Sequence, residues 1–174
     1  MAKVERVKVA SGDAFLIECA VRADFSSPVS EFLDQLAAGR FEVRRNPELD
    51  SLEAQSNLYM RFVAGMEFLA EHGELPQGSL AFNSLEDGIW EFKPGSLRVT
   101  FFDTDGRGNH IAKRRERNFV TGQIPWPDDY DYFLRLATAF EKRGRRAEPG
   151  HIYTAKKVRE EDLEHDLGSR EDDC

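Results

Sequence analysis

The sequence predicts an α+β domain, and three observations carry that prediction. A short apolar run rich in strand formers comes first, and two stretches with apolar residues at helical spacing follow it. Then Leu85–Phe102, LEDGIWEFKPGSLRVTFF, alternates apolar and polar residues around a Pro-Gly pair, as a β-hairpin does. At 174 residues, with 40% hydrophobic and 11% aromatic side chains, the chain suits one domain with a real core.

The first strand is AFLIECAV, Ala14–Val21. In DFSSPVSEFLDQLAAG, Ser27 suits the N-cap, Pro28 the first helical position and Gly39 the stop. Val29, Phe32, Leu33 and Leu36 recur at i, i+3, i+4 and i+7, which predicts a short amphipathic helix. RFEVRRNPELDS reads as an irregular connector. A second helix is predicted over Leu52–His72, with Leu58, Phe62, Met66 and Leu69 on one face and Gly73 ending it.

In the hairpin, an even-length connection pairs Glu91 with Arg98 and Trp90 with Val99. A four-residue connection is an equal alternative and keeps the same parity. Trp90, Phe92, Leu97, Val99 and Phe101 then share the core face; Ile89, Glu91, Lys93, Arg98 and Thr100 share the other.

DTDGRGNH, from Asp103, is a loop. It lacks the distal Glu of a calcium loop, and GRGN lacks the full dinucleotide fingerprint. IAKRRERNFVTGQIPWP is basic and irregular. PDDYDYFLRLATAFEKRG predicts a helix with Tyr130, Phe133, Leu134, Ala137 and Phe140 on one face. PGHIYTAKKV is a short strand candidate, and 160–174 reads as a frayed or disordered acidic tail.

No apolar run approaches the roughly 20 residues of a membrane helix, and MAKVERVKVASGDAF lacks the apolar segment of a signal peptide; both predict a cytoplasmic chain with no membrane partner. Cys19 lies within an apolar run and reads as a core thiol. With Cys174 as the only other cysteine, and scattered histidines, no metal site or cofactor is expected. Charge is uneven: residues 1–92 carry 8 Lys/Arg against 16 Asp/Glu, 93–159 carry 15 against 8, and 160–174 carry 1 against 8. A basic middle suits a nucleic-acid partner, and the acidic end can either cover that basic face or remain solvated.

The ordered segments SSPVSEFLDQL, MRFVAGMEFLAEHGELPQGSLAFNSLEDGIWEFKPGSLRVTFF and HIYTAKKV resemble the RelE/ParE toxin superfamily, most closely its phage-derived HigB-like branch. That branch shows an S-P-x-x-E-F-L helix start, a helix ending near E-x-G and an L-x-D-G-…-W/Y-E-L/F-R strand, then an R-V strand and an F-x-K-K segment. These match Ser27–Leu33, Glu71–Gly73, Leu85–Lys93, Arg98–Phe102 and Tyr153–Lys157, with Lys93 where the branch has arginine.

The resemblance implies a small α+β domain over 1–159, a curved antiparallel sheet with two N-terminal helices on one face, and an insertion at 103–150 holding an extra helix. It also implies a metal-independent endoribonuclease that cleaves ribosome-associated mRNA and is neutralised by an antitoxin protein. Arg98 and Lys93 would stabilise the phosphorane, Glu91 would orient Arg98 or accept a proton, and Tyr153 would stack or donate a proton. Lys113, Arg114, Arg115, Lys156 and Lys157 would bind RNA. His110, beside the basic loop, is a further acid/base candidate. The competing expectation is a toxin-like module without catalysis that binds a protein or nucleic acid.

Overall fold

The computed structural model describes residues 3–172 except 79, 114, 116–118, 122–123 and 145–147. In chain order the elements are β1 (Lys8–Ser11), β2 (Leu16–Cys19), α1 (Pro28–Ala37), α2 (Leu52–His72), β3 (Ala81–Ser84), β4 (Trp90–Lys93), β5 (Leu97–Thr104), β6 (Phe133–Glu141) and α3 (Pro149–Asp172). The strands form one open, mixed sheet in the order β1-β2-β6-β5-β4-β3. Helices α1 and α2 cover one face and α3 covers the other.

Both N-terminal helices form where their periodicity places them. Val29, Phe32, Leu33 and Leu36 of α1 are buried, as are Leu58, Phe62, Met66 and Leu69 of α2. Ser51 Oγ accepts a bond from the Ala54 amide at 3.1 Å and so caps α2. Gly73, in the left-handed region at φ 77°, closes the helix with its amide on the Leu69 carbonyl at 2.8 Å. Ser27 stands at the N-cap of α1, but its hydroxyl donates to the Ala20 carbonyl at 2.9 Å, tying the helix start to the end of β2.

Two segments exchange their expected conformations. The stretch predicted as a helix of the insertion is β6, an inner strand of the sheet. Leu134, Leu136 and Ala139 of β6 face the larger core, and Arg135, Ala137 and Thr138 face the other way; a register shift opposite Thr100–Phe101 breaks the period of two, so its leucines and alanines mimic a helical stripe. The sheet is therefore not purely antiparallel, because β6 runs parallel to β2, from Leu16↔Phe133 to Cys19↔Leu136. The long α1–α2–hairpin excursion supplies the connection a parallel pair needs.

Conversely, the expected strand PGHIYTAKKV and the expected disordered tail together make α3. Its buried residues are Ala155, Val158, Arg159, Asp162 and Asp166, so three of the five are charged and hidden from a hydrophobicity pattern. Those carboxylates meet arginines. Asp162 accepts from Arg6 Nε at 2.9 Å, from Arg135 Nη1 at 2.7 Å and from the Val21 amide at 2.9 Å. Asp166 is held by Arg135 and lies 3.2 Å from Arg6 Nη2. Removing one partner from such a buried set costs about 3–5 kcal/mol, because it leaves an uncompensated charge. The acidic end does cover basic residues, then, but they are Arg6, Arg22 and Arg135 of the sheet side.

The larger core lies between the sheet and α1/α2. Phe92 stacks on Phe101 with centroids 4.0 Å apart, and the insertion contributes Trp126 and Tyr130 to the same cluster. Cys19 is buried there, which pushes its thiol up to about 12. The second core is small: Ala20, Ile89, Phe102, Ala137, Ala155 and Val158 beneath α3. No helix among the described residues is long and apolar enough to cross a membrane.

Candidate functional site

The β4–β5 hairpin turns through Pro94-Gly95-Ser96, with Gly95 at φ 59° and the Leu97 amide on the Pro94 carbonyl at 3.0 Å. The observed register pairs Trp90 with Phe101, Glu91 with Thr100 and Phe92 with Val99, and three residues separate the two strands. Glu91 is thus not directly opposite Arg98; the register lies two residues from the simpler pairing. Face parity is unchanged, and Trp90, Phe92, Leu97, Val99 and Phe101 all point into the larger core.

The other face is not an open polar surface, because α3 lies over the sheet there. Glu91 is 6% exposed and Arg98 8%. Their closest atoms, Glu91 Oε1 and Arg98 Nε, are 4.0 Å apart, while Arg98 Nη1 donates to the Gly95 and Leu97 carbonyls at 3.0 and 2.7 Å. Burial lowers the Arg98 pKa, and Glu91 opposes that shift. Burial raises the Glu91 pKa, opposed by the charges of Arg98, Lys93 and Lys142 and by a bond from Asn83. Arg98 thus lies beside this carboxylate, and Lys93 stands two residues along the same strand face.

The third strand of this site is β6. Phe140 pairs with Arg98, and the Lys142 amide donates to the Ser96 carbonyl at 2.9 Å, which brings Lys142 beside the turn. The first turn of α3 closes the site from above. His151 stacks flat on Phe140, with centroids 3.7 Å apart and planes at 2°, and its Nε2 lies 3.4 Å from Glu148. A cleft of about 590 Å³ opens beside this pair, bounded by Arg40, Phe41 and Arg44 from the α1 exit and by Phe140, Arg143 and His151.

The structure thus brings Glu91, Lys93 and Arg98 together and separates the other candidates from them. Tyr153 is on α3 and 70% exposed. Lys156 pairs with Glu86 at 2.5 Å, and Lys157 lies 3.8 Å from Glu160. Lys113 is buried against Asp103 at 2.9 Å, and Arg115 pairs with Asp129 at 2.5 Å and Asp128 at 3.3 Å. Arg114 lies outside the described residues. His110 is closed in: Nδ1 meets the Asp103 carbonyl at 2.7 Å and Nε2 faces Arg159 Nη1 at 3.2 Å, and burial lowers its pKa. With both nitrogens engaged it is not placed for proton transfer to a ligand.

Lys142, Arg143, Phe140 and His151 are the site residues the sequence reading missed. A signal for three of them was present: Phe140-Glu141-Lys142-Arg143 repeats the F-x-basic-basic spelling matched instead to Tyr153–Lys157. Among the described residues, no group of three His, Cys, Asp or Glu side chains is placed to hold a metal ion. No family model matches the chain, and no curated protein sequence matches it.

Proposed function

We propose that the chain is a RelE-like, HigB-like toxin module: a metal-independent endoribonuclease that acts in the cytoplasm on ribosome-associated mRNA and is neutralised by an antitoxin. The observation that carries this reading is the grouping of Lys93, Arg98 and Lys142 about the hairpin that holds buried Glu91, with Arg98 4.0 Å from Glu91, beside a cleft bounded by Phe140 and His151. The element order adds support in part. A strand, two helices and a charged hairpin follow in the order the resemblance implies, as β2, α1, α2 and β4–β5, while the last basic strand it implies, at Tyr153–Lys157, is part of α3. Phe140–Arg143 repeats the F-x-basic-basic spelling at the end of β6, next to the charged hairpin.

Such chemistry needs a 2′-hydroxyl to attack the neighbouring phosphorus while its proton leaves to a base. The P–O5′ bond breaks, and the departing oxygen takes up a proton. Lys93 and Lys142 are placed to offset the growing charge on the phosphorane, and fixed cations favour that state most when water is excluded. Arg98, clamped to the turn carbonyls and counterbalanced by Glu91, holds the turn and adds to the same field. Glu91, buried beside Arg98, orients that guanidinium or accepts the proton in this reading.

A second reading, a binding module without catalysis, is favoured by one observation: the Arg98 guanidinium is spent on its own turn and largely shielded from solvent. Inducible expression separates the two. The nuclease reading expects growth arrest that Lys142→Ala and Lys93→Ala each relieve by tenfold or more in surviving colonies, with circular dichroism unchanged. Absence of arrest from the unmodified chain, or arrest indifferent to both variants, sinks it.

A further inference from the structure

The cleft at the end of β6 has a construction that the charged hairpin does not explain. Three chain segments meet there: the exit of α1, the end of β6 and the first turn of α3. One wall is the parallel Phe140–His151 pair. The rim carries three arginines, Arg40, Arg44 and Arg143, and three glutamates, Glu42, Glu141 and Glu148, so formal charge alone decides nothing.

Engagement decides it. Glu141 accepts from the Arg44 and Asn46 amides at 3.2 and 3.4 Å, Glu148 lies 3.4 Å from His151, and Glu42 lies 3.7 Å from Arg44 Nε. Arg40 and Arg143 are exposed, and their guanidiniums have no partner among the described residues. Glu141 is tied to backbone amides, Glu42 and Glu148 sit in looser pairs, and two guanidiniums are available beside the stacked Phe140–His151 pair in a cavity of nucleotide size.

We infer that this cleft is a subsite for one nucleotide of single-stranded RNA, its base held against the Phe140–His151 wall and its phosphate at Arg40 and Arg143. The inference rests on the ribonuclease reading, which it deepens by saying where the strand lies beyond the reacting phosphate. Aromatic walls accept any base because every base has a π-face, and arginines supply bidentate contacts to phosphate. A strand seated this way would run from the α1 side of β6 toward Lys142 and the hairpin turn.

The test uses the full chain and a short fluorescent 2′-O-methyl RNA, which lacks the attacking hydroxyl and so reports binding alone. His151→Ala is expected to weaken binding about five- to tenfold, and His151→Phe to restore it, because a phenyl ring stacks but carries no proton. Arg40→Ala with Arg143→Ala is expected to weaken binding and flatten its salt dependence by about 0.7 in log–log slope, the loss of one phosphate contact. Inorganic pyrophosphate is expected to compete poorly.

Absence of RNA binding, affinity unchanged in these variants, no rescue by His151→Phe, or pyrophosphate competing as well as RNA would each overturn the subsite. The two readings fail separately. RNA cleavage with binding indifferent to the variants removes the subsite and leaves the nuclease. Variant-sensitive binding without cleavage of unmodified RNA removes the nuclease and leaves the subsite.

Discussion

Glu18 shows what burial does to single charges in this molecule. It faces Arg135 across the β2–β6 pair, 3.9 Å from Arg135 Nε, within a group of three carboxylates and two guanidiniums. Burial raises its pKa from the ordinary 4.5, Arg135 and Arg6 pull it back, and Asp162 and Asp166 push it up again. The folded chain therefore holds this proton more tightly than the unfolded chain does. The resulting stabilisation is complete below pH 4.5 and is lost as pH rises through the folded value. Glu18→Gln is accordingly expected to raise stability at pH 7 by up to about 1 kcal/mol, with the difference closing as the pH falls toward 4.5. Urea unfolding midpoints at pH 7 and pH 4 measure this; a variant less stable than the parent at pH 7 would contradict it.

At the scale of elements, α3 is what turns a two-layer domain into a three-layer one. Its apolar contact is small, so the Arg6–Asp162–Arg135–Asp166 group holds much of it in place. Truncation after Arg159 removes both aspartates from Arg6 and leaves Arg135 only the 3.9 Å approach of Glu18. The expected result is a melting temperature lower by about 8 °C or more, with dye-binding apolar surface. An unchanged melting temperature would make the acidic end a solvated extension.

What the sequence discloses follows from the same balance. Helices α1 and α2 bury one apolar stripe each and expose the rest, so their periodicity is plain. Hairpin parity survives uncertainty about loop length, and so Glu91, Lys93 and Arg98 are legible as one face. In β6 a register shift breaks the alternation and buried Arg135 stands on the α3 side, and in α3 paired aspartates replace part of the stripe, so each takes on the other's pattern. Misreading β6 in turn conceals Lys142, and misreading α3 conceals His151, because neither is near the hairpin in sequence.

For the whole molecule, the uneven charge of the sequence is largely settled inside the fold. Glu161, Asp162 and Asp166 of α3 pair with Arg22, Arg6 and Arg135, and the insertion's Lys113 and Arg115 pair with Asp103, Asp128 and Asp129. Among the described residues Lys113 and Arg115 are therefore not free positive charge, and the cations beside the hairpin turn and the β6 cleft become the more telling ones. The direct test of that site incubates purified protein with mRNA on translating ribosomes, then analyses the new RNA ends. Cleavage by the 2′-hydroxyl is expected to leave 2′,3′-cyclic phosphate and 5′-hydroxyl ends, falling about 100-fold or more with Lys142→Ala. Intact mRNA, or new ends carrying a 3′-hydroxyl and a 5′-phosphate, would contradict it.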